Sequence, residues 1–185
     1  FNDGAGNFDP IMLNQKEVDT ACCGLSKDKV NKTHAHASTI GDYNNDGIDD
    51  LVIFWSTTTE AEGNEWGAET WNSILLGPVD KENPIYLDST KWKTLPDPFY
   101  GPINANYNDA YSGDINGDGF DDIVVGSTRK NPYYAGRHVQ ILISNGDGTF
   151  ADQTSSRFPD QPRSDLDPSL EGTGIGEGVI TLQDF

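Results

Sequence analysis

The sequence predicts an all-β protein built from repeated units, on three observations. A loop rich in Asp, Asn and Gly occurs twice, in residues 41–50 and 113–122, and its first aspartates lie 72 residues apart. Each loop runs directly into β-branched and aromatic residues, which are typical of a buried strand. A turn followed by Phe, at residues 2–8, recurs at 145–150. Because self-similarity at a fixed period indicates a repeat architecture, we expect one structural unit per period.

The two loops have the ligand spacing of a calcium site. Oxygen-bearing side chains occupy positions one, three and five, a glycine occupies position six, and an aspartate closes the set at position nine. Ca²⁺ takes about six to eight oxygens from carboxylates, amides and backbone carbonyls, so we expect position seven to contribute its carbonyl. The predicted ligands are Asp42, Asn44, Asp46, Ile48 and Asp50 in the first loop, and Asp114, Asn116, Asp118, Phe120 and Asp122 in the second.

An EF-hand is the first alternative to this interpretation. Its loop ends with a bidentate Glu at position twelve and lies between two helices. Position twelve is Ile53 in one loop and Val125 in the other, inside the strand-like runs. The second alternative is a hairpin turn that binds no ion, which explains one such loop more readily than two with the same spacing. We therefore predict calcium loops that join strand to strand.

The repeat extends towards both ends of the chain. Asp184 follows Asp114 by 70 residues, and would be the first ligand of a third, truncated calcium loop. Phe8 precedes Asp42 by 34 residues, and Phe150 precedes Asp184 by the same number. We expect the end of one unit, two complete units and the start of another, within a longer polypeptide.

These residues carry a family resemblance. The stretch from 111 to 127 resembles an FG-GAP repeat, the unit of the integrin α-subunit propeller, and the hairpin at 143–150 is similar to a VCBS-type repeat of secreted proteins. The resemblance covers about residues 35–57, 107–128 and 137–154. It implies a β-propeller with four antiparallel strands per blade and calcium in the loop between the first two strands. Since about four to eight blades close a propeller, further blades of the same propeller are expected partners.

The resemblance divides the chain into blades and connections. We expect the fourth strand of the first complete blade near residues 85–87. The predicted segments are the end of a preceding blade at 1–13, a connecting loop at 14–34, a blade at 35–88 with calcium loop 42–50, a connecting loop at 89–108, a blade at 109–154 with calcium loop 114–122, a connecting loop at 155–177, and the first strand of a further blade at 178–185.

The charge balance argues against two classes of partner. Lys and Arg number 12 and Asp and Glu number 30, giving a net charge of −18, so we expect neither nucleic acid nor an anionic membrane. No apolar run approaches about 18 residues, so no membrane insertion is expected. Eight of the 30 acids lie in the two loops, where they would repel one another without metal and where we expect each calcium ion to neutralise three. Since loops of this kind bind calcium at extracellular concentrations, we expect a secreted protein or the ectodomain of a surface protein.

Four smaller features complete the candidate sites. Asn31 begins the only glycosylation sequon. Cys22 and Cys23 are adjacent, and partners outside this segment, a vicinal bridge and free thiols all remain open. His34 and His36 share one face of a predicted strand, where packing is favoured over a metal or catalytic role. Aromatic residues in predicted loops could stack on a sugar ring or cover the blade cores, namely Trp66, Phe99, Tyr100, Tyr133 and Tyr134.

The motifs favour a binding module over an enzyme. The sequence contains no nucleophile motif, phosphate-binding glycine loop or zinc ligand set. We expect calcium to be structural, and the function to be recognition or adhesion with an extracellular protein or glycan as the ligand. The propeller of a secreted polysaccharide-acting enzyme and a structural spacer in an extracellular assembly remain alternatives, because fold alone does not determine function.

Overall fold

Two four-stranded antiparallel sheets make up most of the described structure. The computed structural model describes residues 33–57, 60–61, 65–66, 72–77, 88–98, 105–129 and 137–159. Within these residues, helix is confined to a 3₁₀ turn at Ser89–Lys91 and a helical turn at Thr154–Arg157. The predicted all-β fold class is confirmed.

The first sheet is built around a strand that is covered on both faces. Its strands are β1 (Thr33–Gly41), β2 (Asp50–Thr57), β5 (Ser73–Leu75) and β6 (Trp92–Thr94), paired in that order. A short hairpin, β3 (Glu60–Ala61) and β4 (Glu65–Trp66), lies between β2 and β5 along the chain. Consecutive residues 52–54 of β2 are all buried, as expected for an apolar strand between two layers.

The fourth strand of this sheet lies later in the chain than predicted. Residues 85–87 lie outside the described residues, whereas β6 falls within 89–108, the segment predicted to be a connecting loop. Trp92 is buried and pairs with Leu75, while Lys93 beside it is only partly covered. The burial of this one large aromatic side chain therefore accounts for a strand that is only three residues long.

The second sheet is an up-and-down meander. Its strands are β7 (Ala105–Gly113), β8 (Asp122–Arg129), β9 (Arg137–Ser144) and β10 (Phe150–Asp152), each paired with the next. β7 begins four residues before the predicted start of the blade at 109, and the other three strands lie within the predicted blade. The β9–β10 turn holds Gly146 and Gly148 at φ of 74° and 76°, which L side chains rarely adopt.

Each sheet has a bulge in its first strand, and the two bulges are 72 residues apart. The pairing of β1 with β2 skips His36, and the pairing of β7 with β8 skips Asn108. The repeat seen in the sequence is therefore also a repeat of backbone geometry. The bulge interrupts the alternation from which His34 and His36 were predicted to share a face, and the His34 side chain lies outside the described residues.

The two sheets share one hydrophobic core. The Phe54 ring of β2 lies 4.9 Å, centroid to centroid, from the Tyr107 ring of β7. Within the described residues the sheets do not close on each other, an arrangement compatible with two blades of a propeller. The buried residues of this core are Ala37, Tyr43, Val52, Phe54, Ile74, Leu95, Tyr107, Ile123, Val125 and Leu142.

Candidate metal centre

Each sheet carries one of the predicted loops between its first and second strands. Residues 42–49 join β1 to β2, and residues 114–121 join β7 to β8. Both flanking elements are strands, so the two loops differ from the helix–loop–helix arrangement of an EF-hand. The prediction that the loops join strand to strand is confirmed.

In the second loop, the side chains at positions one, three and five turn back onto the loop backbone. Asp114 Oδ1 accepts hydrogen bonds from the N–H groups of Gly117 at 2.7 Å and Asp118 at 3.1 Å. Its Oδ2 accepts from Gly119 at 2.9 Å. Asn116 Oδ1 accepts from Asp118 N at 2.8 Å, and Asp118 Oδ1 accepts from the N–H of position seven at 3.0 Å. The oxygens of all three side chains are thus gathered around one short turn.

The first loop repeats this arrangement nearly bond for bond. Asp42 Oδ1 accepts from Asp46 N at 3.1 Å, and Asp42 Oδ2 accepts from Gly47 N at 2.9 Å. Asn44 Oδ1 accepts from Asp46 N at 3.0 Å, and Asp46 Oδ1 accepts from the N–H of position seven at 2.9 Å. Two sequences that differ at three of nine positions, 43, 45 and 48, therefore adopt the same geometry.

Both loops have positive φ at position six, where Gly47 and Gly119 lie, and again at position four. The second of these explains the difference at position four. Position four is Asn45 at φ 57° in the first loop and Gly117 at φ 80° in the second. Asn and Gly are residues that readily adopt positive φ, so both suit this position. The sequence analysis singled out only the glycine at position six, although the Asn/Gly pair at position four was a visible signal.

The aspartates at position nine are buried and hold each sheet together. Asp122 Oδ2 accepts from Ile115 N at 3.0 Å, and its Oδ1 accepts from Ser144 N at 2.9 Å. Asp50 makes the equivalent bonds, from Tyr43 N at 3.1 Å and Gly77 N at 2.7 Å. Each carboxylate therefore joins the second residue of its loop to the last residue of the third strand or to the chain just after it. This role was missed from the sequence, where both residues were predicted only as ligands.

The surroundings shift the pKa of two loop carboxylates in opposite directions. Burial raises the pKa of Asp50, while the hydrogen bonds from Gly77 and Tyr43 oppose that effect. The pKa of Asp114 is lowered, chiefly by the hydrogen bond from Gly119 and further by those from neighbouring loop N–H groups. The first-position aspartate of the second loop is consequently held in its ionised form, which is the form that binds a cation.

The chemistry of the donor set fits calcium. The side chains at positions one, three and five of both loops offer only carboxylate and amide oxygens, which suit a hard cation better than a thiolate-seeking or imidazole-seeking metal. In the described part of the chain, no group of three or more His, Cys, Asp and Glu side chains is already arranged to hold a metal ion.

Comparison with known families identifies the second loop and its strands. A family profile described as the FG-GAP repeat matches residues 107–137, which span most of β7, the loop, β8 and the first residue of β9. This segment is an FG-GAP repeat. Neither the search of curated proteins nor the search of solved structures gave a match.

The first sheet has the same local structure as the matched segment. The loop at 42–49 lies outside the matched residues, yet it has the same hydrogen bonds, the same flanking strands and a bulge at the equivalent position. FG-GAP repeats typically occur in extracellular domains. No helix among the described residues is long and apolar enough to cross a membrane.

The side chain at position seven of each loop packs against a glycine of its own sheet. A Cβ on Gly146 would lie 2.8 Å from the Phe120 ring, and a Cβ on Gly77 would lie 2.8 Å from Ile48 Cγ2. The position-seven residue therefore covers the chain just after the third strand. The predicted role of its backbone carbonyl as a ligand stays a prediction.

Tyr43, at position two of the first loop, connects the two sheets. Its carbonyl accepts hydrogen bonds from Gly148 N at 3.0 Å and Ser144 Oγ at 3.2 Å. Its ring meets Phe150 edge-on at 5.4 Å between centroids. Burial raises the pKa of Tyr43 to about 12, so the phenol is neutral at physiological pH. We call this contact between the first loop and the second sheet the seam.

Several predicted site residues lie outside the described part of the chain. The backbone of Trp66 belongs to β4, and its side chain is not described. Cys22 and Cys23 also lie outside the described residues. The other predicted sites outside the described residues are Asp184, the glycosylation candidate Asn31 and the aromatic residues Phe99, Tyr100, Tyr133 and Tyr134.

Proposed function

We propose that this chain is a calcium-binding segment of an extracellular β-propeller that serves recognition or adhesion. The observation that supports the proposal most directly is the repetition of one loop geometry in two sheets, with matching bonds at positions one, three and five. The FG-GAP repeat at 107–137 supports a propeller-like domain of the extracellular adhesion type.

Calcium would be held by the predicted ligands of each loop, and its contribution would be to neutralise the carboxylates and fix the turn. The chain's own part is to orient those oxygens around one short turn. Backbone N–H groups orient the side chains at positions one, three and five, while the buried Asp50 and Asp122 fix each loop to its sheet. A site arranged in this way stabilises the fold, because an ion that binds only the native state shifts the folding equilibrium.

The recognition role rests on the surface that such a fold displays. A net charge of −18 disfavours nucleic acid and anionic membranes as partners, so the proposed ligand is an extracellular protein or glycan. Connecting loops carry binding residues more often than the strands that support them. The proposed calcium is structural, and the proposed activity is binding without turnover.

Calcium binding is tested by titration calorimetry and thermal melting of the full chain, with calcium and with chelator. We expect two binding events and a higher Tm with calcium. Asp118→Ala should abolish one event, whereas Asp97→Asn, which removes a charge from an exposed loop residue outside both sites, should keep both. A Tm unchanged by calcium would contradict the structural role.

Recognition is tested separately, on a glycan array and with immobilised extracellular matrix proteins. Saturable binding that chelator abolishes would support a module whose binding loops depend on calcium. Hydrolysis or elimination of a polysaccharide by the purified chain would contradict the proposal of binding without turnover.

A further inference from the structure

One contact across the seam joins the two predicted calcium loops directly. Asp121 stands at position eight of the second loop and is not one of the predicted ligands. Its Oδ2 accepts a hydrogen bond, at 3.1 Å, from the backbone N–H of Asp42, which is the first-position residue of the other loop. A side chain from the second sheet therefore fixes the backbone at the start of the first loop.

The surroundings of this bond show that the two sheets approach very closely there. A Cβ on Gly41 would lie 2.5 Å from Asp121 Oδ2 and 2.4 Å from Ser112 Oγ. Real Cβ atoms do not approach other atoms so closely, so only glycine at 41 permits the contact. Gly113, its equivalent in the second sheet, has no atom within 4 Å of its ideal Cβ.

The equivalent residue in the first loop has a different environment. Asp49 occupies position eight of that loop and is exposed, whereas Asp121 is partly buried. The carboxylate of Asp121 is therefore used between the sheets, and the chain offers Asp49 as an internal control of the same residue type at the same loop position.

We propose that Asp121 is a positioning residue for the first calcium loop, acting from the neighbouring sheet. This inference rests on the proposed calcium binding. The Asp42 side chain is the first predicted ligand, and its direction depends on the peptide plane that its own N–H belongs to. By accepting that N–H, Asp121 sets the plane, and through it the direction of a ligand in a loop to which Asp121 does not belong.

This positioning role predicts that replacing Asp121 weakens calcium binding at the first loop more than at the second loop, to which Asp121 belongs. Loss of an outer-shell partner commonly weakens metal binding by about 10–100-fold. In Asp121→Ala, calcium affinity should fall by about tenfold at the first loop and much less at the second. Asp121→Asn keeps an oxygen that can accept the Asp42 N–H, so it should retain most of the first-loop affinity. Asp49→Ala removes the same charge at the same loop position without losing the acceptor of the Asp42 N–H, so it should weaken the first-loop affinity less than Asp121→Ala does.

The experiment measures site-resolved calcium binding by NMR titration of the full chain, together with amide hydrogen exchange in chelator. The exchange measurement does not involve calcium: the Asp42 amide should be protected in the unmodified protein, unprotected in Asp121→Ala and protected in Asp49→Ala. It also needs no variant to be informative, because a fast-exchanging Asp42 amide in the unmodified protein would overturn the proposal.

The outcomes separate this inference from the proposed function. If the second-loop affinity fell most in Asp121→Ala, Asp121 would act within its own loop and the inference would be wrong, while calcium binding stood. If the unmodified protein bound no calcium at either loop, both proposals would be overturned. First-loop weakening with loss of Asp42 protection, rescued by Asp121→Asn, would support the inference.

Discussion

Replacing Asp122 by Ala should destabilise the protein even when no calcium is present. Asp122 is fully buried, and its two oxygens accept from Ile115 N and Ser144 N. Alanine leaves both donors without these acceptors, and each hydrogen bond to a charged group contributes about 1.5–3 kcal/mol, so the expected loss is about 3–6 kcal/mol. Native domains are stable by only about 5–15 kcal/mol, so this is a large fraction of the total.

The assay is urea unfolding in chelator, followed by circular dichroism. With an m value of about 2 kcal/mol/M, a loss of about 4 kcal/mol lowers the urea midpoint by about 2 M. The matched control is Asp118→Ala, which removes a carboxylate from the same loop. Because Asp118 is exposed, its partners can be hydrated, and the control should lose no more than about 1 kcal/mol.

A single result would refute this reasoning. If Asp122→Ala and Asp118→Ala lost similar stability in chelator, the buried carboxylate would not be holding the loop to the third strand. Its contribution would then be limited to calcium binding, as the sequence alone predicted. Calcium should in turn stabilise the unmodified protein but fail to rescue Asp122→Ala fully, since the two backbone bonds remain absent.

Three further predictions concern the seam, the core and pH. Gly41→Ala should lose about 1–3 kcal/mol in urea unfolding, because its methyl group would lie 2.4 Å from a side-chain oxygen, whereas Gly113→Ala should be neutral or slightly stabilising. Tyr107→Phe should lose about 1–2 kcal/mol, measured in the same way, since the Tyr107 hydroxyl accepts a buried hydrogen bond from Asn72 Nδ2. Burial raises the folded-state pKa of Asp50 above its unfolded value. In chelator, the contribution of Asp50 to the free energy of unfolding is therefore present at acid pH and is lost as the pH rises through the folded-state pKa. The urea midpoint should accordingly decline with rising pH less steeply in Asp50→Asn than in the unmodified protein.

The parts of the fold that were predictable are those specified by local sequence. The spacing of the loop aspartates, followed at once by runs such as Ile123–Val125, located the loops and the strands on either side of them. The strand β6 could not be predicted in the same way. Trp92–Thr94 is too short to show an alternating pattern, and it becomes a strand because Trp92 is buried beside Leu75.

The parts of the site that were missed depend on how two units meet. Asp121 has the same residue type as its equivalent Asp49, and Tyr43 occupies a position where the two loops differ, so neither is marked by the repeat; their contacts become visible only when the second sheet lies beside the first. Asp50 and Asp122 were recognised as acids with ligand spacing, but their bonds to the end of the third strand require the sheet to be folded. Sequence patterns describe a repeat well and the boundary between repeats poorly.

The seam also imposes an order on folding. The hydrogen bond between Ser144 Oγ and the Tyr43 carbonyl joins residues 101 positions apart, whereas β9 and β10 pair across a short turn. Non-local contacts form late because the closure of a long loop costs entropy before the contact stabilises it. During synthesis at roughly 5–20 residues per second, Phe150 follows Tyr43 by roughly 5–20 seconds. During that interval the Tyr43 ring cannot yet pack against Phe150. The nascent chain is then exposed to association with neighbouring chains through this aromatic side chain.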